Sequence, residues 1–259
     1  MKVEKKAEQK EKAQLILESI KELFQPLKEI VKKIKDEKYE IIIADDVSAR
    51  LPALVLKKVL EKISSQKIKL FFVHPLFLSQ TPKIKQNFKE LIDKKTLFFT
   101  EAVYSGETLI KMIRFFSRHN LSVDYAILSY ELFENESDLL NYLNQRVKLN
   151  KKSKFFIAQK SSKPKIAQEQ SKTLIGLVGD FESEKVQKLS KINPKNLKIY
   201  LFLFQQYCDF PLIEKIFPEI ANKIKLGQNL LPTDIQKITN FVRHQINQLA
   251  DLIVESLNS

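Results

Sequence analysis

The sequence predicts an α/β protein built on a doubly wound, mainly parallel sheet. Three observations carry that reading. Short runs rich in β-branched and aromatic residues recur near 39–44, 68–73, 96–100 and 122–129. Stretches with apolar residues at helical spacing separate them, each long enough to cross back over a sheet. Strand and helix alternate, and such crossovers wind almost always right-handed, which brings helices to both faces.

The first element reads as a helix over about 5–34. Leu15, Ile16, Ile20, Leu23, Phe24, Leu27, Ile30 and Val31 follow its period, with lysines and glutamates between them. Pro26 is a site for a kink, and the highly charged opening residues are expected to fray. The run 39–44 (Tyr-Glu-Ile-Ile-Ile-Ala) suits a buried first strand and leads into the polar turn Asp45-Asp46-Val47-Ser48. A helix follows to about Ile63, with Leu51, Leu54, Val55, Val59 and Leu60 at helical spacing. A second strand over 68–73 leads into His74-Pro75, and a helix covers about 82–93. The third strand, 96–100, ends in Glu101-Ala102-Val103-Tyr104-Ser105-Gly106; a helix to about Ser117 and a fourth strand over 122–129 follow.

Farther along, 138–149 reads as helix, and 155–158 and 174–178 as short strands. The segment 160–172, rich in Lys, Ser, Gln and Pro, reads as a loop. Asn193-Pro194 makes a good helix start, with Asn as cap and Pro at the first position. The run 197–204 suits buried helix and buried strand equally. The closing helix, 232–257, presents Ile235, Ile238, Phe241, Val242, Ile246, Leu249, Leu252 and Ile253 at its period. Three regions are therefore expected: an N-terminal helical segment (1–38), an α/β domain (39–180) and a C-terminal helical region packed on it (181–259).

With 259 residues, 44% hydrophobic and 29% charged, the chain has the material for a sizeable core, and wholesale disorder is excluded. The single cysteine, Cys208, excludes an internal disulfide and suits a reducing compartment. No apolar run approaches the ~18 residues of a membrane span, and the charged opening residues do not read as a signal peptide, so a cytoplasmic protein without a membrane partner is expected. Four glycines, with neither GxGxxG nor GxxxxGK[ST], argue against a Rossmann or Walker loop. The net charge of +13 suits an anionic partner: nucleic acid, a phosphorylated small molecule or a membrane surface. It also follows from AT-biased coding, which enriches Lys, Ile, Phe and Asn. The lysines are spread along the chain, so most of the excess reads as solubilising charge.

In open parallel sheets ligands bind beyond the carboxyl ends of the strands, which directs attention to the loops after the first three. The third loop is the most informative. A buried strand ends in Glu101, two apolar positions follow, then the hydroxyl pair Tyr104-Ser105, Gly106, Glu107 and Thr108. Glycine lets the backbone approach a ligand closely, and amides at a helix start point at an anion. Ser105 and Thr108 carry hydroxyls suited to phosphate oxygens, and Glu101 suits sugar hydroxyls. The same residues also make an ordinary strand–turn–helix junction.

The pattern resembles the phosphoribosyl-pyrophosphate (PRPP) motif of the phosphoribosyltransferase family. That motif has four apolar residues, two acids, two apolar or hydroxyl residues, hydroxyl, glycine, any residue, hydroxyl. Glu101 takes the second acid, Tyr104 and Ser105 the hydroxyl pair, and Gly106 and Thr108 match directly; Thr100 stands where the family has its first acid. The first loop, Asp45 to Ala53, resembles the family's pyrophosphate loop. There Arg50 suits a pyrophosphate oxygen, with Asp46, Ser48 and Ala49 beside it; the family usually has glycine where this chain has Ala49. The simpler reading is that Asp46 or Ser48 caps the next helix and Arg50 is solvated.

The resemblance implies a sheet of phosphoribosyltransferase type and a protein that binds PRPP or a ribose 5-phosphate ester. It further implies transfer of the phosphoribosyl group to a base with release of pyrophosphate, with Glu101 and Arg50 as the catalytic residues and Mg²⁺ as cofactor. The alternatives are a catalytically inactive regulatory or binding protein of the same fold, and a basic nucleic-acid-binding module. The acceptor base and the oligomeric state are not legible.

Other residues read more simply. His74 has acid–base chemistry to offer but fits as a strand-end residue beside Pro75. His119 and His244 lack partners at metal-ligand spacing, so no zinc site is read. Cys208 reads as a buried apolar residue, and Asp180 and Glu182 as solvated loop acids. Lys151, Lys152, Lys154, Lys160, Lys163 and Lys165 flank Phe155-Phe156, a pattern that suits single-stranded nucleic acid but better fits a strand with a solvated border.

Overall fold

The computed structural model describes residues 23–45, 49–73, 91, 93–147, 149, 152–160, 215–226, 228 and 231–258. The chain divides into two compact units, one of Leu23–Pro164 with Ala250–Ser259, the other of Met1–Glu22 with Lys165–Leu249.

The first unit is built on a five-stranded, all-parallel sheet of order β2-β1-β3-β4-β5. Its strands are β1 (Ile41–Asp45), β2 (Lys69–Val73), β3 (Thr96–Val103), β4 (Val123–Tyr130) and β5 (Phe155–Lys160). Helix α1 covers 23–34. Helices α2 (Arg50–Ser64), α3 (Glu107–Arg118) and α4 (Glu136–Arg146) follow β1, β3 and β4. The chain steps from β1 outward to β2, then returns past β1 to β3. Right-handed crossovers therefore put α2 on one face and α3 and α4 on the other. This is the Rossmann-like α/β class, as expected from the alternation of strand and helix.

Both faces are buried, which is why the strands read as continuous apolar runs. On one face Leu109, Ile113 and Phe116 of α3 and Leu139 and Leu143 of α4 close over Ile41, Ile43, Phe98, Tyr125, Ile127 and Ile157. Phe98 is the aromatic centre, edge-on to both Phe116 (5.8 Å) and Tyr125 (6.1 Å). On the other face the alternation of the pleat places Ile42, Ala44, Leu97 and Phe99, all buried, beneath α2 and its buried Val55, Leu56 and Val59. Lys62 of α2 pairs with Asp251 near the carboxyl end of the chain. Helix α1 buries Leu23, Leu27, Ile30, Val31 and Ile34, one stripe at helical spacing. Its Lys33 donates to the Ile157 carbonyl of β5 at 2.6 Å.

The amino ends of the strands are tied by polar groups. Tyr39 donates to Asp124 Oδ2 at 2.7 Å, while the Lys154 amide donates to Asp124 Oδ1 at 2.8 Å. Burial, with Asp124 second, pushes the Tyr39 phenol far above its usual range. Glu37 accepts from Lys154 at 2.7 Å and also from Lys95; these two ammonium groups hold its carboxyl below the usual value.

Three boundaries differ from expectation. Strand β3 runs three residues beyond Thr100, because β4 extends to Tyr130 and offers Ser129 and Tyr130 as partners to Ala102 and Val103. Helix α4 begins before Asp138, since Asn135 accepts from the Asp138 amide at 3.0 Å and caps it. Strand β5 reaches Lys160, which the sequence reads as loop. Of the helix expected over 82–93 only Leu91 and Asp93 are described, both in a turn. The elements read at 174–178 and 193–204, and the loop residues after Lys160, lie outside the described residues.

The second unit holds α5 (Pro218–Lys225) and most of α6 (Pro232–Asn258), the latter at the expected position. Asp234, buried at the start of α6, accepts from Lys223 and from the Leu231 amide, at 2.7 and 3.0 Å; Lys223 above all keeps its carboxyl low.

Replacing Phe98 with alanine should lower unfolding free energy by about 3–5 kcal/mol, the cost of an aromatic cavity in a core. Urea denaturation checks it; a loss under about 1 kcal/mol would contradict the central packing assigned to this ring.

Candidate functional site

The sheet order reverses direction between β1 and β3, so the helices that follow these two strands lie on opposite faces, and open α/β sheets bind ligands beyond the carboxyl ends of strands at such a switch point. Both loops singled out in the sequence leave from this point.

The loop after β3 makes the sharper feature. Gly106 is the N-cap of α3 and has φ +77°, a left-handed conformation that favours glycine. A Cβ at this position would stand 3.1 Å from the Tyr142 ring of α4. Glycine is thus required twice, by dihedral and by space. Among the described residues no side chain caps α3, and Ile110 donates to the Gly106 carbonyl at 2.8 Å. Tyr104, Ser105, Glu107 and Thr108 are exposed around this helix start. Glu107 sits in the first turn, where its charge suits the helix dipole and competes with any anion.

Glu101 is not in the loop. The extension of β3 puts it inside the strand, only 2% exposed, with Thr100 beside it at 3%. Its Oε2 is buried with no hydrogen-bond partner. Burial first and the nearby Asp45 second push its carboxyl well above the usual range. Asp45 is itself the last residue of β1 rather than part of a turn. Two acids from neighbouring strands thus influence each other at the switch point. The sequence offered a signal for this, an acid at the end of each of two buried runs, but the pairing of those runs was needed to use it.

Arg50 is the first residue of α2, and its guanidinium lies over the Phe72 ring at 5.2 Å. Phe72 belongs to β2, on the side of β1 away from β3. Ala49 is the buried N-cap of α2 and offers no side-chain cap of its own. Asp46 and Ser48 lie outside the described residues, as do His74, Cys208, Asp180 and Glu182.

A Mg²⁺ ion takes six oxygens, two or more from carboxylates or substrate. The described residues do not fit it: of the two positions to which the resembling motif gives acids, one holds the buried hydroxyl of Thr100 and the other the buried, proton-favouring Glu101. Among the described residues no three His, Cys, Asp or Glu side chains gather. His119 is exposed against the Phe115 ring at 4.6 Å, and His244 is exposed on α6. The basic–aromatic segment resolves as strand: Phe155 stacks on Tyr125 at 4.8 Å and 15°, leaving that face of its ring closed to a base. Lys154 is bound to Glu37, and Lys160 donates to the Glu134 carbonyl at 3.1 Å; Lys151, Lys163 and Lys165 lie outside the described residues. No described helix is long and apolar enough to cross a membrane.

No family model, no curated protein and no solved structure matches this chain.

Gly106→Ala should destabilise the fold by about 1–2 kcal/mol, the cost of a left-handed alanine, with Tyr142 shifting in addition. Thermal and urea unfolding check it. Glu101→Gln tests the buried acid. With its folded pKa raised above 4.5, Glu101 is neutral in both states below that value and costs the fold least there; as pH rises toward the folded pKa the unfolded chain gives up the proton and stability is lost. The variant should therefore gain stability relative to wild type as pH climbs from about 4.5 toward 8. A constant difference across that range would show that Glu101 titrates normally.

Proposed function

We propose that this chain is a phosphoribosyltransferase-like protein that binds a ribose 5-phosphate ester, PRPP included, with the phosphate at Tyr104–Thr108. The observation that supports this most is the conformation of Gly106 at an α3 start that no described side chain caps. The left-handed glycine turns the chain into the helix start, with Tyr142 filling the space of its missing Cβ, and the amides and dipole of that start favour negative charge. The exposed hydroxyls of Ser105 and Thr108 complete a donor set around a phosphate.

Binding without transfer is the second reading, and one observation favours it. Thr100 and Glu101, which stand where the resemblance has its two carboxylates, are both buried within β3. Transfer would need pyrophosphate displaced at the anomeric carbon by a base nitrogen, with charge developing on the ribose. A buried hydroxyl and an acid biased toward its neutral form offer little stabilisation for that charge. Arg50, engaged with Phe72, is the residue proposed to meet pyrophosphate if transfer occurs.

Calorimetric titration with ribose 5-phosphate and with PRPP tests the binding; pyrophosphate release with each base separates transfer from binding alone. Thr108→Ala should weaken ribose 5-phosphate binding about tenfold to a hundredfold, the loss of a hydrogen bond to a charged oxygen. The melting temperature is measured alongside, since Thr108 lies in the first turn of α3. A folded variant with unchanged affinity, or a wild type that binds no sugar phosphate, refutes the proposal.

A further inference from the structure

At the opposite end of the sheet a cleft of about 460 Å³ opens between the amino ends of β3, β4 and β5. Its charged lining is four lysines against two aspartates. Lys94 and Lys95 come from the turn before β3, Lys152 and Lys154 from the turn before β5. The start of β4 lies between these two pairs. Neighbouring strands are about 4.8 Å apart, so the pairs approach from sides about 10 Å apart.

The two aspartates do not balance this charge. Asp124 accepts from the Tyr39 hydroxyl on one oxygen and from the Lys154 amide on the other, and its charge also favours the Lys154 ammonium. With Asp93 it makes two lining acids against four ammonium groups. Outside the lining, Glu37 takes both Lys95 and Lys154, one on each carboxylate oxygen, and Glu40 takes Lys94 at 2.6 Å. All three of these lysines are more than two-fifths exposed. Glu37 is only one-fifth exposed, so its pairs tie the strand ends, while the lysine ammonium groups remain open to solvent. Glu37 is one anion shared by two cations from opposite sides of the cleft. A ligand with several negative oxygens does the same work with more partners. The side chains of Asn120 and Ser122, also in the lining, add neutral hydrogen-bonding groups.

We infer that this amino-end cleft is an anion site for an oligophosphate, a chain of two or three phosphates held between the two lysine pairs. It is separate from the carboxyl-end site and does not rest on the function proposed for that site. The phosphates come either free or as the tail of a nucleoside triphosphate. A single phosphate can take the place of the Glu37 carboxylate between Lys95 and Lys154, whereas a chain of phosphates reaches Lys94 and Lys152 as well.

The test is titration of the full chain with orthophosphate, tripolyphosphate, adenosine triphosphate and a single-stranded RNA. Tripolyphosphate should bind at least tenfold more tightly than orthophosphate. Equal binding of tripolyphosphate and adenosine triphosphate assigns recognition to the phosphates alone; tighter binding of the nucleotide assigns it to the triphosphate tail with added base contacts, and both support the site. The double variant Lys152→Gln, Lys154→Gln should weaken tripolyphosphate at least tenfold and leave any ribose 5-phosphate affinity within twofold. Glu37→Gln should act in reverse and tighten tripolyphosphate several-fold, because it removes the competing carboxylate while lowering stability. A merely structural role for these lysines predicts no such gain. The inference is overturned if wild type fails to bind tripolyphosphate at millimolar concentration, or if only RNA binds. It is also overturned if Glu37→Gln weakens binding or leaves it unchanged.

Discussion

All five strands of the sheet run in one direction, and most of the molecule's organisation follows from that constraint. Parallel neighbours cannot be joined by hairpins, so every connection must cross a face of the sheet. The crossing helices bury both faces, and the buried faces demand the unbroken apolar runs Ile41–Ala44 and Leu97–Phe99. Because the chain steps from β1 to β2 and returns to β3, the helices that follow β1 and β3 lie on opposite faces. The switch point at the carboxyl ends is thus a consequence of strand order, and its chemistry is whatever side chains the loops after β1 and β3 bring to it.

The two ends of the sheet are finished differently. At the amino end, Tyr39, Asp124, Glu37, Lys95 and Lys154 lock β1, β3, β4 and β5 together through hydrogen bonds and ion pairs. That end holds the register while the cleft beside it remains lined with cations. At the carboxyl end the described side chains form fewer mutual ties. Among the described residues the α3 start carries no side-chain cap, and Glu101 keeps an oxygen without a partner. A buried carboxyl with one oxygen unpartnered is costly when charged. Burial biases it toward its protonated form, which lowers that cost.

Gly106 links the fold to the proposed chemistry. Its left-handed backbone starts α3 at the angle that lets Leu109, Ile113 and Phe116 reach Phe98, and it faces the Tyr142 ring closely enough that no larger residue fits without movement. The same residue therefore serves packing and the open helix start.

The sequence alone determined the element types and the parallel class. Ile41–Ala44, Leu97–Phe99 and the helical stripes of α2 and α3 encode burial through period and branching, which are local properties. The candidate loop was legible for the same reason, since glycine between hydroxyls at a strand-to-helix junction is a local pattern. Strand ends were less legible. Glu101 reads as a loop acid until β4 extends to Tyr130 and draws Ala102 and Val103 into pairing. Strand order, the closeness of Asp45 to Glu101 and the meeting of Lys95 with Lys154 at Glu37 were decided only by tertiary structure. Each joins residues many positions apart. The energy of such a contact depends on distance in space and on the water excluded from it, and neither is written in the order of the residues.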